Sequence, residues 1–180
     1  MQVVDLLVRQ NAAFLRQGRD LIASLDDERY RAPSPPQLTG GGIGAHFRHC
    51  LDFYSCFLAG LESGRIDYDA RCRDTSVASE RDLAIQRIDE ILHQLEHNVA
   101  QRSGGEVLEV SLDNPGGQET DTLWSRSSLL RELQSLVSHT VHHYALISML
   151  LKATGHQPES GFGVAPSTLD HEKRQPASAG

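Results

Sequence analysis

The chain has 180 residues, of which 39% are hydrophobic and 23% are charged, with 24 acidic side chains against 17 basic ones. This length suits one domain, or one domain with a tail, and the composition excludes a disordered chain, a collagen-like repeat and a disulfide scaffold. The net charge of −7 argues against a nucleic-acid-binding protein, because no net positive field neutralises phosphates. Nine histidines are a high number for this length.

The N-terminal residues predict neither a secretory leader nor a membrane span. Asp5 and Arg9 interrupt the apolar character there, and no segment approaches the roughly 18 apolar residues that a transmembrane helix needs. Cys50 and Cys56 lie in one predicted helix, where about 9 Å of rise separates them and prevents a disulfide. With Cys72 the number of cysteines is odd, and no CxxC pair occurs. We therefore expect a reduced, cytoplasmic protein that does not bind membranes.

Helical periodicity marks the first half of the chain. Residues 2–25 form the first predicted helix and residues 43–61 the second, while three prolines and three glycines in residues 30–42 predict a loop between them. Gly64 ends the second helix, and residues 66–79 are expected to form a connection. The residues predicted to face the core are Val4, Leu7, Phe14, Leu21 and Leu25 in the first helix, and Ile43, Phe47, Cys50, Tyr54, Phe57 and Leu61 in the second.

The second half of the chain contains two more periodic segments. Residues 80–101 form the third predicted helix and residues 127–153 the fourth, which Gly155 ends. Between them, apolar and polar residues alternate over 108–112 before the turn sequence DNPGG, so we expect a short strand or hairpin. The predicted core residues are Ala84, Ile88, Ile91, Leu95 and Val99 in the third helix, and Leu129, Leu133, Leu136, Thr140, Ile147 and Leu151 in the fourth.

Four amphipathic helices of about 20 residues each must bury one face. An all-α, up-down four-helix bundle does this most simply, and we assign it to residues 1–155. Residues 156–180 are rich in glycine, proline and serine, so we expect an irregular C-terminal tail that packs partly on the bundle.

Three histidines lie close together in the fourth helix. His139 and His143 are four residues apart, so their imidazoles are about 40° apart around the helix and can converge on one ion. Relative to the centre of the apolar stripe, His143, His139 and His142 lie at about 60°, 100° and 160°. The pair His139 and His143 therefore borders the core, and His142 points outward.

The second helix offers two candidates for a third ligand. His46 lies about 70° from the centre of the apolar stripe and His49 about 130°, so periodicity alone favours His46. Either imidazole could reach an ion where the helices splay at the mouth of the bundle. Three neutral imidazoles with an open fourth position suit zinc, nickel or another late divalent metal.

The sequences IGAHFRHCLDFY and SHTVHHYALI, with the four-helix spacing between them, resemble the DinB family of the DinB/YfiT-like superfamily. The resemblance covers about residues 2–151, and FGVAPST near the end is similar to one branch of the family. It implies that one histidine of the second helix and an HxxxH pair of the last long helix bind a divalent metal. The family ligand of the second helix follows the IG pair by five positions, which gives His49, and the HxxxH pair is His139 and His143.

Other polar residues have competing interpretations. Arg71 and Arg73 could hold an anionic substrate, such as the carboxylate of a thiol cofactor, or pair with nearby aspartates. Asp52 could orient a ligand imidazole or lie on the surface. Glu90 and His93 form one ExxH unit, which belongs on a solvated face because di-iron sites need two such units and more carboxylates. Trp124 and Phe162 are expected either at the bundle mouth or as loop anchors.

Two functional hypotheses follow. The first is a metal-dependent enzyme that acts on a small molecule, with thiol transfer or hydrolysis as reaction class and a low-molecular-weight thiol as a partner, since the resemblance implies thiol-dependent transferases and isomerases. The second is a non-catalytic metal-binding or stress-related protein of the same fold, because no carboxylate is firmly placed as a general base beside the histidines. The sequence identifies no catalytic residue, and it leaves open whether the protein forms a homodimer.

Overall fold

The computed structural model describes residues 3–36, 40–112 and 122–165, together with Thr168. In these residues the chain is mostly helical, with three short strands and a π-helical turn at Leu95–Val99. None of these helices combines the length and apolar character required to cross a bilayer. The elements in chain order are α1 (Val3–Ser24), α2 (Asp27–Arg31), α3 (Ile43–Gly60), β1 (Arg65–Asp67), α4 (Thr75–Ser79), α5 (Arg81–Gln94), β2 (Val107–Ser111), β3 (Ser125–Ser128) and α6 (Leu129–Ala153).

The four long helices enclose the hydrophobic core. Helix α1 packs against α5 and α6, and α3 packs against the same two helices. All the core residues expected from the sequence are buried, and Leu15 and Ile22 of α1, which were not among them, are buried as well. The 3.6-residue period therefore identified the buried face of each long helix correctly.

The sequence prediction was wrong for two segments between the helices. Tyr30 and Arg31, assigned to a loop, belong to α2, whose first turn is capped by the Asp26 carboxylate, which accepts a hydrogen bond from the Arg29 backbone N–H at 2.7 Å. Residues 66–79, expected to be a connection, contain the end of β1 and the whole of α4. Elements of three to five residues are too short to show a periodic pattern.

The predicted strand is present as β2, but it belongs to a three-stranded sheet rather than to an isolated hairpin. Strand β1 pairs with β2 in parallel, and β3 pairs with β2 antiparallel, with Val107 opposite Ser128. The sequence of β3, SRSS, has no apolar alternation, so nothing in it signals a strand. The DNPGG turn lies outside the described residues.

The end of α6 positions the following segment on the helices. Gly155 has a positive φ of 77° and ends the helix as predicted, and the His156 backbone N–H donates to the Leu151 carbonyl at 2.9 Å. Beyond it, Phe162 is buried and stacks on the ring of Tyr144, with the ring centroids 4.8 Å apart. Phe162 is thus part of the core.

The three cysteines form no disulfide, and Trp124 packs against an arginine of the sheet. Cys50, Cys56 and Cys72 are free thiols, in agreement with the predicted lack of a disulfide. The guanidinium carbon of Arg65 lies 4.6 Å from the centroid of the Trp124 ring, so Trp124 is a contact of the sheet edge.

Gly18 allows α1 to approach α6 closely. A Cβ atom at this position would lie 1.9 Å from the Tyr144 hydroxyl oxygen, and the Tyr144 ring is fully enclosed. We expect Gly18→Ala to lower the free energy of unfolding by about 1–2 kcal/mol in urea denaturation, because overpacking outweighs the gain in helix propensity.

The matched control for this substitution is Gly105→Ala, where an added Cβ would meet no atom closer than 4.0 Å. Its free energy of unfolding should stay within about 0.5 kcal/mol of the wild-type value. Equal stability of the two variants would contradict the close approach at Gly18.

Candidate metal centre

A buried hydrogen-bond network fixes α3, α6 and α1 relative to one another beside the histidines. The Tyr54 hydroxyl of α3 donates to the Asn11 side-chain oxygen of α1 at 2.8 Å and lies 3.2 Å from the Thr140 hydroxyl of α6. The Asn11 amide also donates to the Leu133 carbonyl of α6 at 3.0 Å. Because Asn11, Tyr54 and Thr140 are fully buried, breaking this network would leave polar groups unsatisfied. The network therefore holds His139, the neighbour of Thr140, in a defined position.

His49, His139 and His143 form one group between α3 and α6. One nitrogen from each ring lies within 4.8 Å of the others, and Nε2 of His139 is 3.1 Å from Nε2 of His49. The ring centroids of His143 lie 4.6 Å from those of both other histidines. The structure therefore brings together the three histidines that the family resemblance identified. Among the described residues, no carboxylate or thiol joins the group.

His46 lies next to this group but outside it. Its Nδ1 atom is 3.0 Å from Nδ1 of His143. The periodicity argument, which favoured His46 over His49, was wrong about which of them joins the pair on α6. Although His49 lies well off the centre of the apolar stripe of α3, its imidazole lies beside those of His139 and His143 on α6. His142 is exposed, as predicted.

Aromatic rings pack against the histidine group. The Phe53 ring stacks on the His139 ring with the centroids 4.0 Å apart. It also stacks on the Tyr68 ring, with the centroids 5.0 Å apart. The Tyr68 hydroxyl donates at 2.7 Å to the carboxylate of Glu132, which is buried and also accepts from Ser127. The sequence analysis missed Phe53, Tyr68 and Glu132, because Tyr68 lies in the segment read as a connection and long-range stacking leaves no local pattern.

All three imidazoles are held in the neutral form. The pKa of His49 and His139 is lowered to about 4 and that of His143 to about 3, and burial is the largest cause in each case. The positive charges of Arg71 and Arg48 contribute to the lowered pKa of His49, and the neighbouring His139 and His49 contribute to that of His143. Neutral imidazole nitrogens are the form that ligates metals, so no proton has to be displaced at neutral pH.

The arrangement fits a divalent metal. Metal–nitrogen bonds of 2.0–2.1 Å at a tetrahedral angle place two ligand nitrogens about 3.3 Å apart, which is close to the 3.1 Å between His49 and His139. The Nδ1 atom of His139 is buried and has no hydrogen-bond partner in the described part of the chain. A surface groove lined by residues of α6, among them Ser135, Ser138 and His139, reaches one member of the group.

The remaining candidates from the sequence have other surroundings. Asp52 faces Arg48 at 4.0 Å rather than an imidazole, so it does not orient His49. Glu90 is exposed and pairs with Arg87, as expected of a solvated face. Arg71 places its guanidinium carbon 4.9 Å from the Phe53 ring centroid, whereas Arg73 is exposed.

A second HxxxH pair shows that spacing alone is insufficient. His93 and His97 are also four residues apart, and their rings stack at 4.2 Å, but both are exposed. In the described residues no third metal-ligating side chain lies close enough to group with them. The group on α6 differs because α3 supplies a third imidazole.

Comparison with known proteins identifies the family. The sequence profile of the DinB family matches residues 1–168. The chain belongs to the DinB family. A curated protein of Rhizopus delemar, FK506-binding protein 5, is 32% identical over 117 residues, which cover 61% of this chain and 28% of the relative. The chain thus spans less than a third of that relative's length. No solved structure matches this DinB chain significantly.

The neutral histidines predict a pH dependence of stability for the protein in EDTA. Because folding lowers the three pKa values below the exposed value of 6.5, the unfolded chain binds more protons than the folded chain below that pH. Stability is therefore retained above about pH 6.5 and falls as the pH drops toward the folded values. We expect the free energy of unfolding in urea to be lower at pH 5 than at pH 7.5 by more than about 1 kcal/mol.

Two neighbouring variants provide the control for this pH dependence. His143→Gln removes one buried imidazole and should reduce the slope of stability against pH, whereas His142→Gln removes an exposed one and should leave it unchanged. Equal slopes in both variants would contradict the burial of His143 in its neutral form.

Proposed function

We propose that this DinB protein binds one divalent metal ion through His49, His139 and His143 and acts as a metal-dependent enzyme on a small molecule. The observation that supports the proposal is the convergence of three neutral imidazoles from α3 and α6 within 4.8 Å. Thiol transfer and hydrolysis are the reaction classes, since a divalent ion lowers the pKa of a coordinated thiol or water.

The donor set favours zinc or nickel. Three nitrogen ligands without a carboxylate suit late divalent metals better than magnesium or calcium, which prefer oxygen. Three protein ligands also leave coordination positions open, as catalytic sites require.

Residues around the proposed site position the three histidines. The Tyr54 network sets the spacing of α3 and α6, and Phe53 supports the His139 ring by stacking on it. His46 contacts Nδ1 of His143, which leaves Nε2 of His143 as the nitrogen free for a metal. Such a partner at the second ring nitrogen fixes the tautomer and orientation of a ligand imidazole.

We further propose that α1, α3, α5 and α6 form the up-down four-helix bundle of residues 1–155, with the tail of residues 156–180 packed partly against it. The support is the closed order of contacts, in which each of these helices packs against two of the others. The three free thiols are consistent with a cytoplasmic protein.

A second function, metal binding without catalysis, is supported by one observation. In the described residues, the histidine group contains no carboxylate that could serve as a general base. Such a protein would lose thermal stability on chelation and would show no turnover of thiol or ester substrates with any added metal.

The proposed site predicts one tightly bound Zn²⁺ per chain in isothermal titration calorimetry. Substitution of any ligand, as in His49→Ala, His139→Ala or His143→Ala, should weaken the affinity at least roughly 100-fold, because even indirect partners of ligands contribute about 10–100-fold. His97→Ala, from the exposed pair with the same spacing, should bind like the wild type. Unchanged affinity in all three ligand variants would contradict the site.

The contact between His46 and His143 predicts that His46 variants weaken Zn²⁺ binding less than the ligand variants do. His46→Phe removes the partner of His143 Nδ1 and should weaken Zn²⁺ binding about 10–100-fold, whereas His46→Gln offers an oxygen acceptor and should restore most of the affinity. The Co²⁺ absorption bands of both variants should match those of the wild type, since the three ligands remain. A spectrum in His46→Phe that indicates a lost imidazole would make His46 a ligand instead.

A further inference from the structure

The charge around the histidine group is unbalanced. A divalent ion on three neutral imidazoles would carry its full positive charge, because no carboxylate of the described residues belongs to the group. The strongest charges acting on His49 are those of Arg71 and Arg48, and both are positive. Yet the whole chain has a net charge of −7. Among the described residues, the histidine group therefore has positive side chains beside it and no carboxylate within it, although Asp52 lies near both arginines.

The two arginines differ in how their charges are compensated. Arg48 faces Asp52 at 4.0 Å, although its buried Nε atom has no hydrogen-bond partner among the described residues. Arg71 instead rests on the face of Phe53, and within the described part of the chain it makes no salt bridge. Arginines on the outer helix faces do make short ion pairs, such as that of Arg19 with Asp89 at 2.7 Å.

The Arg71 guanidinium packs against the same Phe53 ring that contacts His139 and His49. The Phe53 ring under its guanidinium carries His139 in a stack at 4.0 Å and His49 edge-on at 5.0 Å. The adjacent residues of its segment, Ala70 and Cys72, line a different cavity, which is formed mostly by α3 and which no histidine lines. One side chain of this segment therefore faces the histidine group while its neighbours face away.

We propose that Arg71 binds the carboxylate of a small anionic ligand whose second donor atom occupies an open position of the metal. A guanidinium pairs with a carboxylate through two parallel hydrogen bonds, and the stacked position on Phe53 preorganises this fork. A single charge on Arg71 matches a carboxylate better than a doubly charged phosphate, because Arg48 already faces Asp52. This inference rests on the proposed metal site and specifies the substrate class for it.

The test uses the full chain loaded with Co²⁺ and two probe thiols that differ in charge, mercaptoacetate and 2-mercaptoethanol. Binding is followed by the sulfur-to-cobalt charge-transfer absorption. We expect the wild type to bind mercaptoacetate at least roughly tenfold more tightly than 2-mercaptoethanol, since charge-assisted hydrogen bonds contribute about this much. Arg71→Gln should lose this preference while its affinity for 2-mercaptoethanol stays unchanged.

Arg73→Gln is the matched control, because Arg73 lies exposed in the same segment and should keep the wild-type preference. Arg71→Gln with normal cobalt bands and an undiminished preference for mercaptoacetate would overturn the proposal. The absence of cobalt bands from the wild type before any thiol is added would instead contradict the metal site, and the anion proposal with it. The two failures are therefore read at different steps of one titration.

Discussion

The packing of α3 against α6 is the constraint on which the rest of the site depends. It places Nε2 of His49 3.1 Å from Nε2 of His139, and it does so within a partly buried environment that keeps both rings neutral. Two facing nitrogens can share at most one proton, so the pair is electrostatically suited to a cation between the rings. A shift of either helix by one turn would separate the imidazoles by about 5 Å and remove the group.

Several interactions maintain this packing, and they are distributed over distant parts of the chain. The buried Tyr54, Asn11 and Thr140 connect three helices, while Phe162 covers Tyr144 on the next turn of α6. Below the histidines, Glu132 and Tyr68 tie the start of α6 to the segment after β1, and Phe53 transmits that contact to His139 as a ring stack. The imidazoles are thus positioned by a polar network on one side and an aromatic stack on the other.

The sequence predicted the features that repeat along a helix. The apolar stripes of the long helices, the outward direction of His142 and the pairing of His139 with His143 follow from a rotation of about 100° per residue. The choice between His46 and His49 could not be made in this way, because it depends on where α6 crosses α3, and only the family resemblance indicated His49. Tyr68 and Glu132 are brought together across 64 residues of chain, so no local pattern could have revealed them.

The central claim is that His49, His139 and His143 bind one metal ion together. X-ray absorption spectroscopy at the zinc edge of the Zn²⁺-loaded protein tests it most directly, because it counts imidazole ligands and measures their distance. We predict three imidazole nitrogens at about 2.0–2.1 Å, with the remaining coordination completed by water oxygen. A zinc ion with fewer imidazoles in the wild type, or the same three-imidazole spectrum in His139→Ala, would contradict the assignment.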